Sequence, residues 1–352
     1  MKWIYDLPYE RLREEITALQ LKPFTADQVF SWLYAKNIQE VSQWHNISKT
    51  NRQLLADCFD TALDTLVKIN EDQEGTKKIL VELRDRHKIE AVLIKEKPHY
   101  TFCISTQVGC PLKCKFCATG RGGFKRNLST GEIVSQVLLL KKHLGDYKGK
   151  INIVLMGMGE PLLNYEHLCQ ALRIITSDKG IAVAPRHICL STAGILERIR
   201  QFERDFPKIK LSFSLNAPHP SLREQLMPIS REEPLNKILD YFRATKQKRT
   251  FRVTFEYVLI KGVNDSAADA RQVALLVRGI PCKINLIPFN ESPGIDFKSP
   301  DEAAVEFFSE YLYSQGYTVM VRRSKGRGIK SACGQLAGEE EGRTRRSQVE
   351  GK

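Results

Sequence analysis

The stretch Val108-Gly-Cys-Pro-Leu-Lys-Cys-Lys-Phe-Cys-Ala-Thr-Gly120 sets Cys110, Cys114 and Cys117 in a C-x3-C-x2-C spacing. Three thiolates so close in sequence can wrap one compact inorganic centre, yet they are one ligand short of a closed four-coordinate site. On a [4Fe–4S] cluster, three protein ligands leave one iron open to a small molecule. A structural zinc ion is the alternative, with Cys103 as its fourth ligand. Zinc sites usually pair two close-spaced halves, and no second C-x2-C or H-x3-H half stands elsewhere in the chain. The spacing favours the cluster, with zinc as the competing reading.

Outward from this loop the chain alternates between two periods. Strands are predicted at 101–106, 151–156, 187–191, 210–215, 252–260 and 283–288, with a further one at 318–323. Helices between them cover roughly 131–143, 164–176, 195–204, 234–247, 266–278 and 301–314, the first opened by the capping box Ser129-Thr-Gly-Glu132. Six βα units imply a parallel sheet with right-handed crossovers, open or closed as a barrel. The cysteine loop follows the first strand, Gly157-Met-Gly-Glu160 the second and Ser191 the third. Ser214-Leu-Asn216 ends the fourth and Asn290 the sixth. Ligand sites collect at such strand ends, so these five elements are expected on one face. There the glycines would let backbone approach a ligand and Glu160 would accept from an α-amino group, although a plain tight turn explains Gly-x-Gly-Glu equally well.

Upstream, residues 1–62 read as a small helical domain. Thr25-Ala-Asp-Gln28 has a capping-box pattern ahead of Val29, Phe30, Trp32 and Leu33, and a second helix follows Ser48. Trp3, Trp32 and Trp44 are read as core rings rather than platforms for bases. Residues 63–99 switch to a period of two, with strands at 66–69, 78–83 and 89–94 and turns at 72–75 and 84–86. They are read as a β-hairpin extension leading to a catalytic domain over 100–337. Residues 338–352 carry almost no apolar content and are expected to be a disordered tail.

Composition narrows the class. The chain has 352 residues, 42% of them hydrophobic, and nine cysteines without a secreted disulfide pattern. An apolar targeting region and an 18-residue apolar run are both lacking, so the expectation is no membrane and a reducing cytoplasm. A net charge of +13 points to an anionic macromolecule, most simply nucleic acid. Arg322-Arg-Ser-Lys-Gly-Arg-Gly-Ile-Lys330 carries five cations and no acid, a density suited to phosphates. Arg243, Lys246, Lys248, Arg249 and Arg252 form a second cluster, read as a solvated helix face. Without heptads or an apolar patch, a monomer is expected.

With these elements in place the chain resembles the radical S-adenosylmethionine (SAM) enzymes, and more narrowly the dual-specificity adenine-C2 RNA methyltransferases of the RlmN family. The resemblance runs from about residue 85 to 338. It rests on Phe102-Cys-Ile-Ser-Thr-Gln-Val-Gly-Cys110, the cysteine loop, Gly157-Met-Gly-Glu-Pro161, Leu226-Met-Pro228, Gly262-Val-Asn-Asp265 and Ala332-Cys-Gly-Gln-Leu336. It implies an α/β fold, a partial (β/α)6 barrel with an N-terminal helical RNA-binding domain. It implies a [4Fe–4S] cluster on Cys110, Cys114 and Cys117, two SAM per turnover and a reducing electron donor. Its substrates would be one adenosine of the peptidyl transferase centre in 23S rRNA and one beside the anticodon in tRNA, each methylated at C2. By the same carry-over Gly159, Glu160, Ser191, Ser214, Leu215, Asn216 and Asn290 contact SAM. At 216 the family pattern has histidine, so that contact is altered here.

The resemblance also implies a reaction course. Cys333 takes a methyl group from one SAM and loses a hydrogen atom to a radical made from the second. The methylene carbon adds to adenine C2, Glu90 takes the C2 proton, and Cys103 attacks the Cys333 sulfur. A transient disulfide forms and 2-methyladenosine leaves. Read from residues alone, these groups are less distinctive. Cys103 sits on an apolar strand like a buried inert thiol. Cys333 lies in a small-residue loop able to reach a site. Glu90, within Lys88-Ile-Glu-Ala-Val92, reads as an outward, solvated carboxylate. Cys58, Cys169, Cys189 and Cys282 read as core or incidental. Competing activities are the related C8-adenine rRNA methyltransferase of the antibiotic-resistance group, a zinc-stabilised RNA-binding protein, and a radical SAM enzyme acting on a protein or small molecule. Gly159-Glu-Pro161 and Ser214-Leu-Asn-Ala-Pro218 resemble the C2 group more closely than the C8 group.

Overall fold

The computed structural model describes residues 1–338 apart from 97, 146, 148, 247, 248 and 324. The predicted tail beyond Gly338, and Lys248 of the second basic cluster, lie outside the described residues. Ten strands form one sheet in which chain order is spatial order. They are β1 (Thr65–Glu71), β2 (Lys77–Glu82), β3 (Lys88–Glu96), β4 (His99–Cys103) and β5 (Ile151–Leu155), then β6 (Ile188–Thr192), β7 (Lys210–Ser214), β8 (Val253–Leu259), β9 (Cys282–Pro288) and β10 (Thr318–Val321). β1 to β4 pair antiparallel, and β4 to β10 pair parallel. Six helices connect the parallel strands: Thr130–Lys142, Tyr165–Thr176, Leu196–Asp205, Leu235–Ala244, Ala267–Leu276 and Glu302–Ser314. Among the described residues β10 pairs with β9 alone and β1 with β2 alone, so the barrel stays open.

The patterning explains these elements. β9 reads Cys-Lys-Ile-Asn-Leu-Ile-Pro and is buried at every position but one, as a parallel strand covered on both faces must be. The helix Thr130–Lys142 is buried from Thr130 to Leu140 because the N-terminal domain covers the side that would otherwise meet water. Asp6 Oδ1 accepts from the Gly131 amide, and Asn37 donates to the Leu138 carbonyl. A Cβ at Gly131 would stand 2.5 Å from the Trp3 ring, so only glycine admits this approach.

The β extension runs into the catalytic sheet: β3 pairs with β4 from Val92↔Cys103 to Glu96↔His99, so its three antiparallel strands continue that sheet. One expectation needs correction. Thr25–Gln28 is not a capping box: the helix Phe24–Phe30 is capped at Pro23, ahead of Thr25, Thr25 is buried within it, and Gln28 donates to the Asn46 carbonyl. Ser48 does cap its helix, Lys49–Cys58, accepting from the Asn51 amide. Trp32 and Trp44 are core rings, as their flanking apolar residues require. Among the described residues no helix is long and apolar enough to cross a membrane.

Candidate active site

At the C-terminal ends of the parallel strands lies a cavity of about 1030 Å³ that opens to solvent. Cys110, Cys114, Cys117, Gly159, Glu160, Ser191, Ser214, Asn216, Asn290 and Cys333 all line it, so the structure brings ten of the thirteen predicted site residues together. Leu215 is fully buried and is not among the lining residues. Cys103 and Glu90 lie outside this wall, in the directions described below.

The cysteine loop is bracketed by a feature the periodicity did not reveal. Gln107–Gly109 pairs antiparallel with Phe124–Asn127, and the Cys110 amide donates to the Gly123 carbonyl. This short ribbon closes the loop at its base. Its far side packs through Leu112 and Phe116 against Leu226 and Met227, and Lys115 N–H donates to the Leu226 carbonyl. Burial raises all three thiols, Cys110 to about 12, and mutual repulsion adds to the rise. Buried thiols in that state need a metal centre to become ligating thiolates. Among the described residues no three Cys, His, Asp or Glu side chains converge around one metal ion. A four-iron centre takes one thiolate per iron, and three cysteines lining one cavity fit that donor set. Cys103, the fourth ligand a zinc site would need, instead lines a second cavity.

Glu160 is held rigidly beside this loop. Its Oε1 accepts from Thr192 Oγ1 at 2.7 Å and the Leu162 amide at 3.2 Å, and Oε2 accepts from the Ala193 amide at 2.8 Å. Burial raises its carboxyl above the ordinary range, and these donors oppose the rise. Gly159 has φ +101°, and a Cβ there would lie 2.5 Å from Gln107 Cβ, so the turn presenting Glu160 requires glycine. Asn216, at φ +55°, accepts from the Val258 amide through Oδ1 and points Nδ2 toward Met227 Sδ. Its side chain is thus committed mainly to the β7–β8 junction, which the histidine pattern would not accomplish in the same way.

Arg223 was missed at the level of sequence. It is fully buried on the short helix Pro220–Leu226, and donates to the carbonyls of Leu215, Ala193 and Ser214 and to Ser230 Oγ. It therefore fixes the ends of β6 and β7 that face the cavity. Burial lowers the Arg223 guanidinium to about 10, and Cys114 opposes that fall. A seven-residue helix starting at proline gives no periodic signal, so its only trace was the adjoining Leu226-Met-Pro228.

Cys333 occupies a segment clamped between these parts. The Gly334 carbonyl accepts from the Ala118 amide at 2.8 Å, the Leu336 carbonyl from Thr119 Oγ1 at 2.5 Å, and the Cys333 carbonyl from Asn290 Nδ2 at 3.3 Å. Cys333 also lines the second, smaller cavity, together with Cys103, Arg322, Arg323 and Lys325. Burial pushes the Cys103 thiol up to about 12, with Cys333 adding to the rise and Arg322 opposing it. Glu90 departs from the outward reading: it is 3% exposed, because the chain from Leu336 to Gly338 folds over its face of β3. The second basic cluster keeps a solvated face at Lys246 and Arg252, which are exposed, and departs from it at Arg249 and Arg243. Arg249 pairs with Glu203 and stacks over Phe242, and Arg243 binds Asp240 and the Leu276 carbonyl.

An open parallel barrel with three thiols at the mouth defines a radical SAM enzyme, and comparison with known proteins agrees. Residues 104–273 match the Radical SAM superfamily, and residues 3–60 match the ribosomal RNA large subunit methyltransferase N-terminal domain. A dual-specificity RNA methyltransferase RlmN of Syntrophus aciditrophicus (strain SB) is 43% identical over 335 residues, 95% of this chain and 96% of that one. A probable dual-specificity RNA methyltransferase RlmN of Thermotoga neapolitana is 42% identical over 337 residues, 96% of this chain and 97% of that one. The crystal structure of a radical SAM methyltransferase from Sphaerobacter thermophilus shares the fold with a TM-score of 0.92 at 37% identity, covering 96% of this chain and 100% of that one. The chain belongs to the RlmN family of dual-specificity RNA methyltransferases. It is a SAM-dependent RNA methyltransferase whose cofactors are a [4Fe–4S] cluster and SAM.

Proposed function

We propose that this enzyme methylates adenosine at C2, in the peptidyl transferase centre of 23S rRNA and beside the anticodon of tRNA. The observation that carries this reading is the position of Cys333 in the walls of two cavities, one lined by the cluster thiols and the other by Cys103 and cations. A methyl group on that sulfur could be loaded from one side and delivered on the other.

Adenine C2 is a weak nucleophile, so direct transfer from SAM is poor, and the cluster with two SAM per turnover supplies the methyl group and a carbon-centred radical. Cys110, Cys114 and Cys117 hold the cluster. Gly159, Glu160, Ser191, Ser214, Leu215, Asn216 and Asn290 form the SAM site, Leu215 through its backbone. Cys333 would carry the methyl group, lose one hydrogen atom from it and bond through the methylene carbon to C2, giving an adduct radical. That adduct would give up one electron, which the cluster would take back, and Glu90 would accept the C2 proton, leaving a closed-shell thioether. The Cys103 thiolate then attacks the Cys333 sulfur: the S–S bond forms, the S–C bond breaks, and the electron pair passes to the base, whose methylene carbon gains a proton. A reducing donor returns the disulfide to thiols before the next turnover.

Residues 1–62 are proposed as the accessory RNA-binding domain, 63–99 as the β extension, and 100–337 as the catalytic domain, in a monomer acting in the cytoplasm. Arg323 and Lys325 support the approach of an RNA phosphate to the second cavity, and the adenine must leave its stack to reach Cys333. The test is anaerobic incubation of the reconstituted enzyme with SAM, reductant and an rRNA or tRNA fragment, read by nucleoside mass spectrometry. 2-Methyladenosine is expected; 8-methyladenosine would transfer the reading to the C8 group, and an unmodified base despite SAM cleavage would refute RNA as the substrate of this site.

A further inference from the structure

Both oxygens of Glu90 are engaged, Oε1 by Lys78 and Oε2 by the stretch of chain that carries Cys333. Lys78 Nζ on β2 stands 2.6 Å from Glu90 Oε1, the two side chains being 11% and 4% exposed. Glu90 Oε2 accepts from the backbone N–H of Ala337 at 2.8 Å and of Gly338 at 3.3 Å. The same Lys78 Nζ donates to the Lys330 carbonyl at 3.3 Å. In the β2–β3 register Leu80 faces Glu90, so Lys78 is its diagonal neighbour on the same face. One cross-strand ion pair therefore grips the backbone on both flanks of Cys333.

This arrangement has two physical consequences. A carboxylate already accepting from three donors is poorly placed to take a proton from carbon. A segment fixed at Lys330 and again at Ala337 and Gly338 gives the Cys333 sulfur little freedom to pass between the two cavities. Because the pair is nearly buried, losing one partner strands the other charge, so the two engage or release as a unit. We propose that Lys78 and Glu90 form a clasp on the Cys333 segment, whose opening frees the base and the methyl-bearing cysteine together, with Lys78 as the positioning residue. The inference rests on the roles proposed above for Glu90 and Cys333.

Hydrogen–deuterium exchange on the full chain without RNA tests the clasp directly, using K78M, K78R, E90Q and the K78M/E90Q double variant. Peptides spanning 330–338 are expected to exchange about tenfold faster in K78M and in E90Q, since each loses the same local restraint. The double variant should exchange no faster than either single one, and K78R should stay near the parent. Parent-like exchange in K78M, or additive effects in the double variant, would overturn the clasp. E90Q, nearly isosteric with the native side chain, preserves the test if K78M does not fold. In turnover with RNA, product formation in K78M should depart from the parent while K78R stays near it; unchanged product formation in K78M would count against the positioning role. If the parent enzyme forms no 2-methyladenosine, the C2 methyl-transfer reading falls, and exchange alone decides the clasp.

Discussion

Cys103 and Glu160 are buried acids whose surroundings set when they can act. Burial pushes the Cys103 thiol up to about 12, so its neutral form is favoured in the fold. A group whose folded value is raised contributes stability that is complete below its ordinary value and disappears as pH climbs through the raised one. The stability advantage of the parent over Cys103→Ala should therefore hold up to about pH 9 and decline toward pH 12, as read by urea midpoints. Catalytically, Cys103→Ala should form the protein–RNA adduct and fail to release it, giving a stable species by denaturing gel. Glu160→Gln would set an NH2 group among three donors and cost about 1–3 kcal/mol in stability, measured by denaturant unfolding, along with SAM affinity. The grouping of Cys110, Cys114 and Cys117 was legible because it is written in local spacing, and all three line one cavity. The burial of Glu90 was not, because its cover comes from residues 337 and 338, far along the chain.

Elements show the same division between local and distant causes. The six βα units were legible because each strand and helix carries its own period and bounds. The union of β3 with β4 was not, since the sequence of an antiparallel strand does not name its neighbour. The helix Pro220–Leu226 was too short for any period, although Arg223 makes it the brace of the SAM side of the cavity. Arg223→Met should destabilise the fold by about 3 kcal/mol or more, because buried carbonyls of three residues lose their donor. Arg223→Lys should recover only part of that loss in the same unfolding experiment, since an ammonium cannot reproduce the planar fork.

Across the whole molecule, charge and cavity arrangement together fit the proposed approach of RNA to one end of an open barrel. The net charge of +13 is uneven in its availability: the Lys325 side chain, 3.5 Å from Glu74, keeps 37% exposure beside the second cavity, whereas Arg249, paired with Glu203, keeps 11%. Lys325→Gln should lower the slope of log affinity against log salt by about 0.7–0.9, and Arg249→Gln should leave the slope unchanged while lowering stability. The central claim is that the methyl carbon passes through Cys333 as a methylene group. The direct measurement is turnover with SAM bearing a trideuterated methyl group, followed by mass analysis of the methylated adenosine. Passage through Cys333 removes one deuterium and later adds a solvent proton, so the account predicts a product methyl with two deuteriums, absent in Cys333→Ala. A product that keeps all three deuteriums, or one still made by Cys333→Ala, would contradict it.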